Sequence, residues 1–188
     1  MKKSSTILLL LAVFCQSCGQ AKENFSWNLN TADKGNSSVT DAQSKKNKLA
    51  IEKMWDGYEK AHFSKTPGVT VVELKTWKGP YVLVDVREKR EREISMIPSA
   101  ITKEAFEKDI DRYRNSKVVN YCTIGYRSGE YTDDLRKAGI NAFNLKGSIL
   151  SWVHEGGSLI DPKGSPTKRV HVYGKTWNLL PSGFTPVW

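Results

Sequence analysis

Cysteine and histidine are scarce in this chain, and the scarcity narrows its chemistry. Of 188 residues, 3 are Cys and 3 are His. Cys15 and Cys18 fall near the N-terminus, so the body of the protein holds Cys122 alone. A lone thiol cannot build a disulfide framework, and it excludes thiol–disulfide exchange through a Cys-x-x-Cys pair. Cys15-Gln16-Ser17-Cys18 has that spacing, but it lies in an apolar leader rather than in a fold. His62, His154 and His171 are scattered, no pair has ligand spacing, and no metal or cofactor is expected. Acidic residues are in the minority, with 29 Lys and Arg against 20 Asp and Glu, a formal charge of +9. That charge suits small anionic substrates or an anionic membrane surface. Without a basic stripe interleaved with aromatics, or zinc-finger spacing, no nucleic-acid partner is expected.

Long hydrophobic runs are also missing. The longest, Ile7 to Phe14 behind the basic Met1-Lys2-Lys3, is too short to span a bilayer and reads as the core of a secretory signal. Cys15-Gln16-Ser17-Cys18-Gly19 resembles a bacterial lipobox, with Cys18 the residue to be lipidated, although Cys15 stands where an aliphatic residue is usual. The alternative is cleavage by ordinary signal peptidase near Gly19-Gln20-Ala21. Either way the chain is expected to be exported, to a periplasm or to a membrane-anchored place in a bacterial envelope. The expected organisation is a signal at 1–18, a polar flexible linker at 19–48 and an amphipathic helix at 49–66, where Ile51, Met54, Trp55 and Tyr58 recur at helical spacing.

From residue 67 onward short apolar runs alternate with helical patterns. Val69 to Val72, Tyr81 to Val86, Ser99 to Ile101, Lys117 to Asn120 and Asn141 to Leu145 read as strands. Glu73 to Trp77, the segment carrying Phe106, Ile110 and Tyr113, and Ser128 to Ala138 read as helices, the last closed by Gly139. This order predicts an α/β fold with a parallel sheet of about five strands flanked by helices, and ligands bind such sheets beyond the carboxyl ends of the strands. The run Arg87 to Glu93 mixes both signs of charge and reads as a solvated face. Residues 158–188 show no period but carry Tyr173, Trp177, Phe184 and Trp188, so an ordered extension that keeps these aromatics out of water is expected.

Cys122 stands where such a sheet would bind. It follows the strand Lys117 to Asn120 and opens the loop Cys122-Thr123-Ile124-Gly125-Tyr126-Arg127-Ser128, which leads into a helix. Backbone N–H groups of the loop, the positive end of the helix and Arg127 are expected to converge on the sulfur, a setting that favours a thiolate.

Four elements together resemble a single rhodanese domain, over residues 67–157: Val84-Asp85-Val86-Arg87-Glu88, Ile97-Pro98-Ser99-Ala100, the loop Cys122 to Ser128, and Leu145 to Trp152. The resemblance implies a sulfurtransferase in which Cys122 carries sulfur as a persulfide. It would move sulfur from an anionic donor of the thiosulfate or polysulfide class to a thiol or cyanide-like acceptor. Arg127 would orient the donor, and Thr123, Ile124, Gly125, Tyr126 and Ser128 would line its site. Asp85 and Arg87 would support the loop, as an ion pair or through hydrogen bonds. The sequence departs from the family where Ser95-Met96-Ile97-Pro98-Ser99-Ala100 replaces the usual Gly-His-Ile-Pro-Gly-Ala.

Other readings fit less well. A cysteine phosphatase or arsenate reductase needs five residues between cysteine and arginine; Cys122 and Arg127 are separated by four, and Ser128 stands where that arginine would be. A non-catalytic envelope-tethered module for binding or sensing is the alternative outside enzymology, and the intact Cys122 argues against it.

Overall fold

The structure, a computed structural model, describes residues 38–188. The leader, Cys18 and most of the expected linker lie outside the described residues. Helix α1 (Ser38–His62) leads into β1 (Gly68–Val69), α2 (Val71–Thr76), β2 (Tyr81–Asp85), α3 (Lys89–Arg92), β3 (Ile101–Thr102) and α4 (Lys103–Lys108). A 3-10 turn (Ile110–Tyr113) then precedes β4 (Lys117–Tyr121), α5 (Tyr126–Lys137), β5 (Ala142–Leu145) and α6 (Ser148–His154). The short strands β6 (Leu159–Ile160), β7 (Pro166–Thr167), β8 (Arg169–His171) and β9 (Thr185–Val187) close the chain.

The sheet has the order β1-β5-β4-β2-β3, and every pairing in it is parallel. Because side chains alternate along a strand, neighbouring residues feed different cores. Leu83, Val119, Tyr121 and Leu145 face a cluster closed by Ile51 of α1 and by Ile149, Leu150, Trp152 and Val153 of α6. Val84, Val118 and Ala142 face another closed by Phe106 of α4 and by Tyr131 and Leu135 of α5. A strand buried on both faces must be apolar nearly throughout, which explains the unbroken run Tyr81 to Val84.

The helix expected through Phe106, Ile110 and Tyr113 is split at Asp109 into α4 and the 3-10 turn, and three other boundaries differ most from expectation. Helix α1 begins at Ser38, inside the stretch read as linker, and ends at His62. Its Asn47 side-chain amide donates to the Leu180 carbonyl at 2.9 Å, so the early turns dock on the C-terminal extension, a contact no local pattern reveals. The expected strand Val69 to Val72 is cut after Val69 because Thr70 caps a helix: its hydroxyl accepts from Glu73 N–H at 3.1 Å, and its own N–H donates to the Glu73 carboxylate at 2.8 Å. Ser99 to Ile101 shifts to Ile101–Thr102, since Ser99 itself adopts φ +63. The left-handed backbone associated with glycine therefore persists here with a serine.

The C-terminal segment joins the main core through Val170, Val172 and Leu180, all buried. The expectation that its aromatics all leave water is only half met. Trp177 and Phe184 pack against that core, but Tyr173 is 54% exposed and Trp188 56%. The exposure of Tyr173 is a matter of position, because it stands at the rim of the cleft described next.

Candidate active site

Cys122 follows the last residue of β4, the central strand, and is buried. The loop turns at Gly125, where φ is +118 and a Cβ would stand 2.7 Å from the Trp55 ring. Only glycine satisfies both demands. The loop is clamped from beneath by α6: Ile149 N–H donates to the Cys122 carbonyl at 3.2 Å and Leu150 N–H to that of Thr123 at 3.3 Å. Cys122 N–H donates to Ser148 Oγ at 3.0 Å. Asn144 of β5 braces the far side, donating from its amide to the Gly125 carbonyl at 2.8 Å and accepting from Ser128 Oγ at 2.7 Å.

The sulfur meets fewer amides than the loop pattern suggests. Gly125 N–H donates to Sγ at 3.1 Å; Ser128 Oγ lies 3.5 Å and Ser148 Oγ 3.9 Å away. Ser128 has one hydroxyl proton and a shorter bond to Asn144 for it, which leaves the Gly125 amide as the principal donor. The N-terminus of α5 adds its partial positive charge from Tyr126 onward.

Arg127 is held differently from the expected free cation. Its guanidinium is bidentate to Glu91, at 2.7 and 2.8 Å, and also donates to Thr123 Oγ1 at 3.2 Å. Glu91 itself is buried, although it belongs to the mixed-sign run read as a solvated face; the Arg87 of that run is buried too. Burial alone would favour the neutral carboxyl, but the Arg127 hydrogen bonds and charge outweigh it and bring Glu91 down to about 2. Burial likewise opposes the charged guanidinium, and the same pairing holds Arg127 above its ordinary value. The sole arginine of the loop is thus neutralised from below.

Asp85 and Arg87 form a second buried pair, with the closest contact at 2.7 Å. Asp85 also accepts from Tyr121 Oη at 2.7 Å, Tyr121 Oη accepts from Ile97 N–H at 3.2 Å, and Arg87 Nη2 donates to the Ser95 carbonyl at 2.6 Å. This network ties β2, β4 and the Ser95–Ile97 turn together beneath the loop. It does not reach the cleft.

Above Cys122 opens a cleft of about 250 Å³. Its floor is Cys122, Thr123 and Ile124, while Tyr58, Tyr126, Tyr173 and Trp177 form most of its walls, with Arg127 and Glu88 at the polar side. Tyr58 meets Tyr126 edge-on with ring centroids 5.3 Å apart. Tyr173 adopts φ +69, a conformation costing a residue with a Cβ about 1–2 kcal/mol. Its N–H donates to His171 Nδ1 at 3.1 Å, and its ring lies 5.6 Å from Arg127 Cζ. Burial pushes His171 below its ordinary value, which keeps Nδ1 available as an acceptor.

The structure therefore brings Cys122, Thr123, Ile124, Tyr126 and Arg127 to one cleft. It sets Gly125 and Ser128 just behind the sulfur and leaves Asp85 and Arg87 in the layer beneath. Sequence reasoning missed Glu91, Ser148 and the walls Tyr58, Tyr173 and Trp177. A glutamate three residues after Glu88, at the start of a helix, is a pattern that could have drawn attention to Glu91. The walls carry no local signal, since they meet the loop only through tertiary folding. Among the described residues no cluster of His, Cys, Asp and Glu could hold a metal ion, and no helix is long and apolar enough to cross a membrane.

Residues 69–155 match the family model described as a rhodanese-like domain. A rhodanese-related protein from Thermoplasma volcanium is similar at 25% identity, with 50% of this chain and 97% of that one covered and a TM-score of 0.45. A rhodanese-like domain protein from Staphylococcus aureus is 27% identical, covering 46% of this chain and 91% of that one, with a TM-score of 0.41. A thiosulfate sulfurtransferase from Pseudomonas aeruginosa is 20% identical over 67% of this chain and 23% of that one, with a TM-score of 0.45. No curated protein sequence matches.

Proposed function

Because the chain belongs to the rhodanese family through its domain at residues 69–155, we propose that it is a sulfurtransferase that carries a sulfane sulfur on Cys122 as a persulfide. The observation that carries this reading is the setting of Sγ: it lies at the floor of an open cleft, held by the Gly125 amide at 3.1 Å, at the N-terminus of α5. These groups favour the thiolate and later the anionic persulfide.

The Cys122 thiolate attacks the outer sulfur of a donor of the thiosulfate or polysulfide class. The Sγ–S bond forms, the donor S–S bond breaks, and its electron pair departs with sulfite or the shortened polysulfide. A thiophilic acceptor, a thiolate or a cyanide-like nucleophile, then attacks the outer sulfur and releases the Cys122 thiolate. The two steps exchange one sulfur atom and require no external oxidant or reductant. The four-residue gap between Cys122 and Arg127 gives a loop sized for sulfur rather than for a phosphoryl group. The pairing of Arg127 with Glu91 further weakens any phosphatase reading.

Mass spectrometry of the intact protein after exposure to sulfane donors tests the proposal. A gain of one sulfur that maps to Cys122 and disappears in Cys122→Ser is expected; a free thiol after every donor would sink it. The basic start and short apolar run further support export, with a lipid anchor on Cys18. Metabolic labelling with a tagged fatty acid should mark the wild type and not Cys18→Ser, and an unlabelled wild type would remove the anchor from the proposal.

A further inference from the structure

The cleft over Cys122 is built from two sources with different chemistry. Residues of the rhodanese-like domain supply its floor and its charged side, but three of its aromatic walls lie outside residues 69–155. Tyr58 comes from α1, and Tyr173 and Trp177 come from the C-terminal extension. Tyr173 keeps a strained left-handed backbone and is held there by the bond of its N–H to His171 and by the approach of its ring to Arg127. An outlying backbone conformation kept at the mouth of a cleft invites a functional explanation.

The charge of the cleft points the same way. Arg127 is the one cationic side chain among its lining residues, and Glu91 neutralises it through two hydrogen bonds. Glu88 adds a carboxylate to the same lining, with Arg90 at 2.8 Å as its partner. A compact inorganic dianion entering here meets no uncompensated positive side chain, and it cannot use the aromatic surface. A donor of lower charge with a carbon body needs no free cation and can use the aromatic surface, setting its sulfane sulfur over Cys122 and its organic part against Tyr58, Tyr126, Tyr173 and Trp177.

We propose that the preferred donor is an organic persulfide, R–S–SH or its anion, whose carbon portion is held by the aromatic wall that α1 and the C-terminal extension add to the domain. This rests on the sulfurtransferase reading and narrows it. In the transfer the Cys122 thiolate attacks the outer sulfur of R–S–SH. The Sγ–S bond forms, the donor S–S bond breaks, and the carbon-bound sulfur leaves with the electron pair as R–S⁻. The proton stays on the transferred sulfur. A thiolate and a persulfide are exchanged for a persulfide and a thiolate, so no redox partner is needed.

The test is single-turnover sulfur loading of Cys122, followed by mass spectrometry, with thiosulfate, inorganic polysulfide and N-acetylcysteine persulfide as donors. The organic persulfide should load faster than thiosulfate by about tenfold or more, the size of effect that one well-buried apolar group provides. The ratio of those rates should fall by about tenfold in Trp177→Ala and in Tyr173→Asn, where Asn is chosen because it accepts a left-handed backbone. Glu88→Gln, a surface change that keeps the walls, should lower the same ratio about threefold by helping the dianion. Faster loading by thiosulfate, or a ratio unmoved in all three variants, overturns the preference while leaving the sulfurtransferase intact. No loading by any donor overturns both.

Discussion

The layer beneath the Cys122 loop and the rim above it are built on opposite principles. Beneath, Asp85, Arg87, Glu91 and Tyr121 are buried, and each charge has a partner within hydrogen-bond distance. Above, Tyr58, Tyr126 and Trp177 are half-buried and Tyr173 is exposed, with no carboxylate–arginine network among them. A buried ionic layer stiffens the loop but is intolerant: removing one partner strands a charge in a medium that cannot solvate it. A half-open aromatic rim can be changed with little loss to the fold. On the proposed reading, chemistry and selectivity are separated in space: the intolerant layer braces the loop that carries Cys122, and the tolerant rim would meet the carbon part of a donor.

Arg87→Ala should damage the buried layer most. Asp85 would keep Tyr121 Oη and lose its only buried cation, so a loss of about 3–5 kcal/mol is expected, measured as a shift in urea midpoint. A loss under about 1 kcal/mol would mean that the layer relaxes and that its dryness is not what holds the loop.

Arg127→Ala comes next. Its side chain is 32% exposed while Glu91 is fully buried, so solvent reaches one partner and the loss should fall near the low end, about 3 kcal/mol. This sharpens the role assigned to Arg127. Any weakening of donor loading in this variant would reflect an unpaired Glu91 as well as a missing cation, and Arg127→Lys, which retains a charge, separates the two.

The same pair gives the layer a pH signature. Glu91 falls from an ordinary value of 4.5 to about 2 in the folded chain. Its contribution is fully present above the unfolded value and is lost as pH falls through the folded one, because the unfolded chain binds its proton first. Wild type and Glu91→Gln should therefore differ most at about pH 6 and converge towards about pH 2 in urea titrations. Parallel curves across that range would show that the carboxylate is not what the pair stabilises.

How far the sequence foretold this arrangement follows the same division. The strand Tyr81 to Val84, the glycine-hinged loop and the helix after it are local patterns, and the sheet and the position of Cys122 beyond its central strand were legible from them. The fate of Glu91 was not, because the alternating charges from Arg87 to Glu93 look alike whether the helix faces water or the loop. Its burial is decided by Arg127, 36 residues away. Tyr58 and Tyr173 were invisible as cleft walls for a like reason: one lies in an amphipathic helix and the other in an aperiodic tail, and only their meeting at the loop gives them a role.

On the rim, Tyr58→Leu should keep the apolar area and lose the edge-on contact with Tyr126, a change of about 0.5–1.5 kcal/mol in a thermal or urea melt. A larger loss would place α1 in the intolerant class with the layer below.

The smallest loss of stability is expected for Tyr173→Asn, and its smallness is the point. Asn accepts a left-handed backbone, so the strain of Tyr173 at φ +69, about 1–2 kcal/mol, is relieved. The contact between its ring and Arg127 is lost, worth about 0.5–1 kcal/mol at an exposed site. The relief matches or exceeds the lost contact, so stability should stay unchanged or rise by up to about 1.5 kcal/mol, read as a urea midpoint that does not fall. If the fold loses nothing with Tyr173 while the ratio of organic to inorganic donor loading falls, the strained tyrosine is kept for the donor. A clear loss of stability would return it to the structural layer.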